Sequence, residues 1–259
     1  MNKSEIKAFL DQWVSRMNQP EFIDNDPISI PHGYENKQDK EIAAFFAAVF
    51  AWGQRITIIN KTKELLSLMD NSPYEFILGH QESDLKQFLN FKHRTFQATD
   101  TLHFLSFLHS HYSIHDSLED AFLENGEFGN AQMSLSRFHQ YFFSNEWSPQ
   151  RTRKHIPNPQ TKSTCKRMNM FLRWMVRKDN AGVDFGIWNR IPVSALLMPL
   201  DVHVENTSRA LGLLTRKQRD WQAVEELTEK LREFDPMDPV KYDFALFGLG
   251  IHQRSNIIP

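Results

Sequence analysis

The sequence predicts an all-α protein, and three observations carry that prediction. The 259 residues include only 10 glycines but 21 phenylalanines. Apolar residues recur at steps of three and four, as on one face of a helix, and valines are few. A sheet protein would need more β-branched strands and more turns marked by glycine. Hydrophobic residues make up 41% and charged residues 24% of the chain, which excludes a disordered or collagen-like protein.

The N-terminal segment predicts a docking helix. Its apolar side chains share one helical face: Ile6, Phe9, Leu10, Trp13, Val14 and Met17. We expect residues 1–38, this helix and an extended segment, to pack on the C-terminal part of the chain. The N-terminus lacks the continuous apolar run of a signal peptide, and no stretch approaches the ~20 apolar residues of a membrane span. A cytoplasmic protein without a membrane partner is expected.

The middle of the chain, residues 39–145, predicts a central helical subdomain. Residues 39–53 are apolar nearly all round, as in a buried helix, and an amphipathic helix follows from Arg55. Further helices are expected near 73–79, 84–91, 100–113, 116–124 and 131–144. Thr99 or Asp100 is the expected N-cap of the third of these.

A break and a basic helix open the third predicted part, residues 146–259. Residues 146–162 carry three prolines, which helix interiors exclude, so this stretch is expected to be a loop or hinge. Residues 163–178 then show a strong helical period. The apolar face of this helix is formed by Met168, Phe171, Leu172 and Met175.

The C-terminal helices are marked by their caps. Residues 179–200 are irregular, and Asp201 precedes a helix that Gly212 closes. Asp220 is the expected N-cap of the next helix, and Asp238 stands as an N-cap before a proline at the first helical position.

The charge distribution singles out one segment. The net charge is only −2, yet Arg151 through Lys178 contains nine basic residues and no acidic one, so the rest of the chain is strongly acidic. The basic residues are Arg151, Arg153, Lys154, Lys162, Lys166, Arg167, Arg173, Arg177 and Lys178. Such a segment could bind the phosphate backbone of a nucleic acid; the alternative is a basic helix face that is only exposed to solvent.

Metal and thiol chemistry have little support in the sequence. A single cysteine, Cys165, excludes an internal disulfide, a zinc ribbon and an iron–sulfur cluster, and fits a reducing compartment. Asp201 and His203 could begin a metal site, but no third ligand stands at a matching spacing. We expect no metal and no cofactor.

The segment PLDVHVENTSRALGLL, with Pro199, Asp201 and His203, resembles the helix-hairpin-helix DNA glycosylase superfamily. The resemblance implies that Asp201 lies beside a flipped nucleotide and that His203 is among the residues near nucleic acid. A carboxylate at a helix start can stabilise the positive charge that builds on the sugar, or activate water. The alternative for Asp201 is a structural N-cap alone.

Lys166 is the candidate nucleophile. The helix KRMNMF, 35 residues before Asp201, is similar to that of the archaeal 8-oxoguanine glycosylase branch of the same superfamily. The resemblance implies a Schiff base at Lys166, which requires the neutral amine. A neighbouring Arg167 and an apolar pocket would favour that form. The alternative is a lysine that only contacts phosphate or solvent.

Two further segments match the superfamily in part. The hairpin position holds HIPNPQTKS without the usual glycines, so Lys162, Ser163 and the helix N-terminus would have to anchor phosphate. The segment AAVFAWGQRITIIN resembles the family's wedge, with Gln54 and Arg55 entering the gap left by the flipped base and Trp52 stacking on a base. A core tryptophan followed by a helix break is the alternative for Trp52. The basic residues expected on the nucleic-acid backbone are Arg151, Arg153 and Lys154.

Four features appear here as a set: SxxCKRxNxFLRWMVR, GIW, PLDxHxxxxxRxLGL and DPxDPVKYDFALFGLGI. With them the whole chain resembles an uncharacterised bacterial family that is distantly similar to these glycosylases. The resemblance implies two helical subdomains with a site in the cleft between them. It also implies a monomeric base-excision repair glycosylase that acts on DNA, or on RNA, and has abasic-site lyase activity. The alternatives are a monofunctional glycosylase using Asp201 and water, a noncatalytic nucleic-acid-binding module, and an enzyme of free or RNA-borne nucleosides.

Overall fold

The protein is all-α, as the sequence predicts. The computed structural model describes residues 1–255, and the side chains of residues 1–252; no β-strand occurs in this part. The α-helices are Lys3–Met17 (α1), Ser29–His32 (α2), Lys37–Phe50 (α3), Arg55–Ser67 (α4), Pro73–Gly79 (α5), Ala98–Tyr112 (α6), Ala131–Phe142 (α7), Lys166–Val176 (α8), Val202–Ala210 (α9), Trp221–Arg232 (α10) and Tyr242–Ser255 (α11). Among residues 1–255, none of these helices has the length and apolarity to cross a bilayer.

Short 3-10 helices connect the α-helices. They are Pro20–Phe22, Glu82–Asn90, Leu118–Phe122, Gln150–His155, Pro159–Thr161, Val193–Ala195 and Pro239–Lys241. Two segments expected as helices, near 84–91 and 116–124, therefore take the tighter 3-10 form. The expected break at 146–162 contains two such turns, which suits its three prolines.

The chain forms two compact units. The central unit is Asp24–Pro157, and the terminal unit combines Met1–Ile23 with Asn158–Pro259. Residues 146–157, which the sequence groups with the C-terminal part, belong to the central unit, and so do residues 24–38.

The terminal unit is built around α11, on which α1 and α9 pack. Two glycines of the GLG sequence make this packing close. A Cβ atom at Gly248 would lie 2.6 Å from Met17 Cγ, and one at Gly250 would lie 2.8 Å from His203 Cβ. Any larger residue would push α1 or α9 away, so the glycines are required by space.

The core of the central unit surrounds α3, whose residues from Glu41 to Phe50 are all buried. Phe45 packs against Phe104 with ring centroids 5.5 Å apart and against Phe138 at 5.8 Å. The one charged group in this stretch, Glu41, accepts hydrogen bonds from Ser117 Oγ at 2.6 Å and from the Leu118 N–H at 2.9 Å. The expectation of a centrally buried helix is confirmed.

Most expected caps are present. Asp201, Asp220 and Asp238 each accept a backbone N–H at a helix start, and Gly212 takes a left-handed conformation after α9. The expected cap of α6 is wrong. Gln97 is the N-cap, and Asp100 is the third helical residue, whose carboxylate accepts the Gln97 N–H at 2.8 Å.

Helix α8 is shorter than the helix expected over 163–178. The chain enters it through two residues in the left-handed region, Lys162 (φ 62°) and Cys165 (φ 48°), which no helix tolerates. Its apolar face is confirmed, since Met168, Phe171, Leu172 and Met175 are at most 1% exposed.

Candidate functional site

Lys166 is the first residue of α8, and local hydrogen bonds fix the chain that leads to it. The Cys165 N–H donates to Ser163 Oγ at 3.2 Å, and Asn169 Nδ2 donates to the Thr164 carbonyl at 3.1 Å. Cys165 itself is buried. The Lys166 side chain is half-buried, so it starts from a rigid backbone and reaches solvent.

Asp201 is the N-cap of α9. Its Oδ1 accepts the N–H groups of His203 at 2.8 Å and Val204 at 2.9 Å. Both bonds use the same oxygen, and Oδ2 takes no part in the cap. The His203 ring packs edge-on against Phe247. The structural role of Asp201 is therefore present, and one carboxylate oxygen is left over from it.

The charges of Lys166 and Asp201 both act on a second carboxyl, Asp243. It is buried in the first turn of α11. Burial raises the pKa of Asp243 to about 6; the charges of Arg173 and Lys166 act against this rise, while the carboxylates of Asp201 and Asp184 add to it. Lys166 and Asp201, which are 35 residues apart in the sequence, thus both lie within electrostatic reach of one buried acid.

The sequence alone does not single out Asp243. A signal was present, because Asp243 lies inside the DPVKYDFALFGLGI motif. Its role could not be distinguished from that of other helix-start aspartates, since only the fold brings α8, α9 and α11 to this acid.

Two buried arginines, Arg173 of α8 and Arg177 at its C-cap, bind the acids of this cluster. Arg173 donates through Nε to Asp184 at 3.2 Å and through Nη1 to Asp243. Arg177 pairs with Asp184 at 3.0 Å, and Arg173 lies over the Phe244 ring at 4.5 Å. Arg177 pairs also with Asp179 at 2.7 Å and Asp238 at 2.9 Å. Four aspartates therefore share two arginines.

Arg173 and Arg177 do not belong to a basic surface, as the charge of the segment Arg151–Lys178 had predicted. Arg173 is 4% exposed and Arg177 is 2% exposed, so neither lies on a solvated helix face or on a surface that meets phosphate. Their partner acids lie beyond the basic segment in the sequence. A count of charges along the chain could not reveal this neutralisation.

The other predicted contact residues of the terminal unit differ in exposure. Lys162 is exposed, and Ser163 is half-buried with its Oγ already accepting a backbone hydrogen bond. Burial lowers the pKa of the Arg167 guanidinium to about 10. Lys162 is therefore the predicted phosphate contact that is open to solvent in this unit, together with the half-buried Lys166.

In the central unit, Trp52 follows α3 and lies under an arginine that the sequence analysis missed. The Arg94 guanidinium stacks 4.7 Å from the Trp52 ring centroid. Gly53 has φ 121°, and a Cβ there would lie 2.9 Å from Arg94 Nη1. Gln54 is exposed as the residue before α4, and Arg55 pairs with Asp26 at 3.8 Å. A half-buried Trp52 paired with a cation is neither a plain core residue nor a free stacking surface.

Three basic residues follow the central helices. Arg151 donates to Asp100 at 2.5 Å and to the Thr95 carbonyl at 3.0 Å, so its guanidinium is engaged within the unit. Arg153 lies 4.8 Å above the Phe143 ring, and Lys154 is exposed. Among residues 1–252, no group of three or more His, Cys, Asp or Glu side chains is placed to hold a metal ion.

The comparisons with known proteins give one result. No curated protein and no solved structure matches the chain. The profile of the family described as a protein of unknown function, DUF2400, matches residues 26–252, which include α2 to α10 and most of α11. Since this match covers most of the sequence in both units, the chain belongs to the DUF2400 family.

Proposed function

We propose that this protein is a cytoplasmic DNA base-excision repair glycosylase with abasic-site lyase activity. The observation that carries the proposal is that Lys166 is the first residue of α8 and Asp201 the N-cap of α9 in the same unit, with one carboxylate oxygen of Asp201 outside the cap. A lysine and an aspartate at two helix starts around one cluster are what a Schiff-base mechanism at an anomeric carbon requires. The proposal extends to the fold, a helix-hairpin-helix glycosylase-like arrangement of two helical subdomains.

Lys166 supplies the nucleophile. Its neutral amine attacks C1′ of the damaged nucleotide, the N–C1′ bond forms, and the bond from C1′ to the base breaks with its electron pair leaving on the base. At a site that has already lost its base, the amine adds to the C1′ aldehyde and water leaves. In the first route the nitrogen then loses a proton, and its lone pair forms the C=N bond as the C1′–O4′ bond of the sugar ring breaks and O4′ takes up a proton. Both routes then give the same imine between Lys166 and the sugar.

Asp201 acts on the charge of the sugar. The two backbone N–H groups on Oδ1 hold its carboxylate in one orientation, and Oδ2 is left for the substrate. A fixed negative charge stabilises the positive charge that develops at C1′ as the base departs. The damaged base must be flipped out of the duplex to reach such a site.

Borohydride trapping tests the proposal. The purified protein is incubated with DNA containing an abasic site or 8-oxoguanine, and borohydride reduces any imine to a stable adduct. We expect an adduct with the wild type and none with Lys166→Ala. Lys230→Ala is the matched control, since Lys230 is an exposed lysine of α10 that pairs with Glu233 at 3.3 Å. No adduct with the wild type on either DNA would refute the lyase.

Asp201→Asn separates the two glycosylase mechanisms. Asparagine keeps the N-cap but removes the charge. If base release survives Lys166→Ala and is lost in Asp201→Asn, then Asp201 activates water and no imine forms. Loss of base release in Lys166→Ala would exclude that mechanism.

A second candidate, a noncatalytic nucleic-acid-binding module, is favoured by the stacked Trp52 and Arg94 and by the exposed Lys154. Such a module would bind DNA or RNA with an affinity that falls as salt rises and would release no base. Lys154→Ala and Trp52→Ala would weaken binding. Scission of any lesion strand by the wild type would exclude this candidate.

A further inference from the structure

We propose that Arg94 is a phosphate-binding residue of the central unit, held in place by Trp52, and that its ligand is the sugar–phosphate backbone of a nucleic acid. The inference rests on the nucleic-acid binding that both candidate functions share, and it assigns a ligand to Arg94, which neither of them does. It also changes the expectation for Trp52. One face of its ring is covered by a protein cation, so Trp52 supports that cation instead of a base.

The turn that carries Arg94 is fixed by hydrogen bonds. His93 and Phe96 pair through two backbone hydrogen bonds of 2.9 Å, and Arg94 between them takes a left-handed conformation with φ 54°. The Thr95 carbonyl accepts a hydrogen bond from Arg151 Nη2 at 3.0 Å. His93 Nε2 lies 3.1 Å from the carbonyl oxygen of the last residue of α3. The Arg94 side chain therefore starts from a backbone that is held on both sides.

The Arg94 guanidinium is held by stacking and not by an ion pair. It lies 4.7 Å from the Trp52 ring centroid. Gly53 leaves room for it, since a Cβ there would lie 2.9 Å from Arg94 Nη1, and the φ of 121° at this position favours glycine. Among the side chains of residues 1–252, none accepts a hydrogen bond from Arg94 or forms an ion pair with it, and Arg94 is exposed. The five N–H donors of its guanidinium are thus open to a ligand.

Arg94 differs in this respect from the four other arginines of the central unit. Each of those has an acceptor within the protein: Asp26 for Arg55, at 3.8 Å, Glu124 for Arg137, at 3.3 Å, Asp100 for Arg151, at 2.5 Å, and His139 Nε2 for Arg153, at 3.4 Å. An arginine that the fold holds in place without using its donors is available for binding an anion.

The surroundings of the stack favour an anion as the ligand. Trp52 Nε1 is buried and donates to no acceptor among the described residues, so the stack contains a second donor without a partner. The exposed neighbours Lys92 and Gln54 carry no negative charge. A phosphodiester offers two charged oxygens that match the planar fork of a guanidinium. The phosphate of a DNA or RNA strand therefore fits Arg94.

A phosphate contact has a signature that a purely structural residue lacks. A protein cation that neutralises a phosphate releases condensed counterions, so the logarithm of the binding constant falls with the logarithm of the salt concentration. On duplex DNA each phosphate contact adds about 0.9 to the steepness of this slope. Loss of Arg94 should therefore make the slope shallower by about 0.9, whereas loss of a residue that only supports the fold weakens binding without changing the slope.

The experiment measures binding of the full chain to a fluorescein-labelled DNA duplex that carries a tetrahydrofuran abasic-site analogue, and to RNA of the same sequence. Fluorescence anisotropy gives the dissociation constant at salt concentrations from about 50 to 200 mM. Arg94→Ala should bind the duplex about 10-fold more weakly, with the shallower slope. Arg94→Lys should keep the slope and bind more weakly than the wild type, because an ammonium group lacks the planar fork. Trp52→Leu should also keep the slope and weaken binding, because the cation remains without its support.

Arg16→Ala is the matched control. Arg16 is an exposed arginine of α1 that lies 4.9 Å from the ring centroid of a half-buried tryptophan, Trp13. The two residues are three positions apart on one helix, so their stack is a local helix contact. Arg16→Ala should leave both the affinity and the slope unchanged. The RNA arm shows which of the two nucleic acids the protein binds more tightly.

The outcomes separate this inference from the proposed function. A borohydride adduct in the wild type together with equal slopes in the wild type, Arg94→Ala and Arg16→Ala overturns the phosphate contact alone. A shallower slope in Arg94→Ala without any borohydride adduct in the wild type supports the contact and overturns the lyase. A wild type that binds neither nucleic acid overturns both.

Two further arms keep the test decisive. If Arg94→Ala weakens binding to labelled polyglutamate as strongly as binding to DNA, the site takes an acidic peptide and the assignment to nucleic acid is wrong. If Arg94→Ala does not fold, Arg94→Gln, which keeps a long polar side chain without the charge, is compared with the wild type by the same slopes.

Discussion

Two buried aspartates, one in each unit, both lie in the first turn of a helix, but their pKa values shift in opposite directions. Asp100 is the third residue of α6 in the central unit, and Asp243 is the second residue of α11 in the terminal unit. Both are buried and both pair with an arginine. The pKa of Asp100 is lowered to about 2, whereas that of Asp243 is raised to about 6.

The neighbours of each carboxyl explain the difference. Burial raises the pKa of both. At Asp100 it is outweighed by the nearby His155, whose Nε2 lies 3.5 Å from Asp100 Oδ2, and by hydrogen bonds from Thr152 Oγ1 and the Gln97 N–H; Arg151 adds a third donor. Asp243 instead shares its arginine with Asp184 and lies near Asp201.

An arginine partner alone therefore does not decide whether a buried aspartate stabilises the folded protein. Asp100 has donors for its charge and no competing acid among the causes that shift its pKa, as expected of a structural anchor. Asp243 bears a charge that the network only partly neutralises, as functional sites often do. The predictions below test this contrast.

The largest expected effect is on the stability of the central unit. Asp100→Asn leaves Arg151 and His155 without a negative partner inside the protein and should lower the free energy of unfolding by about 3–5 kcal/mol. Urea unfolding measures it. Asp84→Asn is the matched control, because Asp84 accepts the Gln81 N–H at the same capping position but is exposed, so its loss should cost little. Equal effects of the two variants would contradict an anchoring role.

The pH dependence of stability should have opposite signs for the two acids. Asp243 holds a proton in the folded state between about pH 6 and its usual pKa of 3.8, so stability rises as the pH falls through that window. Asp100 stays charged in the folded state down to about pH 2, so its contribution is lost as the pH falls from about 4 to 2. Asp243→Asn should remove the first change and Asp100→Asn the second, in urea titrations at each pH.

A third aspartate adds an intermediate case. Asp201→Ala removes the N-cap of α9 and should cost about 1 kcal/mol, whereas Asp201→Asn retains the cap and should cost a few tenths. Thermal unfolding of the two variants measures this difference. If both variants lose the same stability, the carboxylate charge rather than the cap holds α9.

The sequence could predict the features that depend on residues close to one another along the chain. The helix-start roles of Asp201 and Asp238, the left-handed Gly212 and the buried face of α8 follow from spacing alone, and all are confirmed. Lys166 and Asp201 could likewise be named from short motifs. Each of these features lies within one or two helical turns, where local periodicity and capping act.

What the sequence could not predict depends on partners far along the chain. Asp100 resembles an N-cap locally, but its carboxylate binds Thr152, 52 residues later, and Arg151, which make it an anchor of the unit. Arg173 looks like part of a basic surface until Asp243, 70 residues later, is seen to bind it. Arg94 stacks on Trp52 because of a turn in the chain, and the periodicity of the sequence does not predict that turn.

A small expected change in stability is the sharpest test of the contrast. At pH 7, Asp243→Asn removes a charge that Asp184 and Asp201 disfavour and leaves Arg173 its bond to Asp184, so the free energy of unfolding should change by less than about 1 kcal/mol. A loss of stability as large as that of Asp100→Asn would show that the two acids are anchors of the same kind.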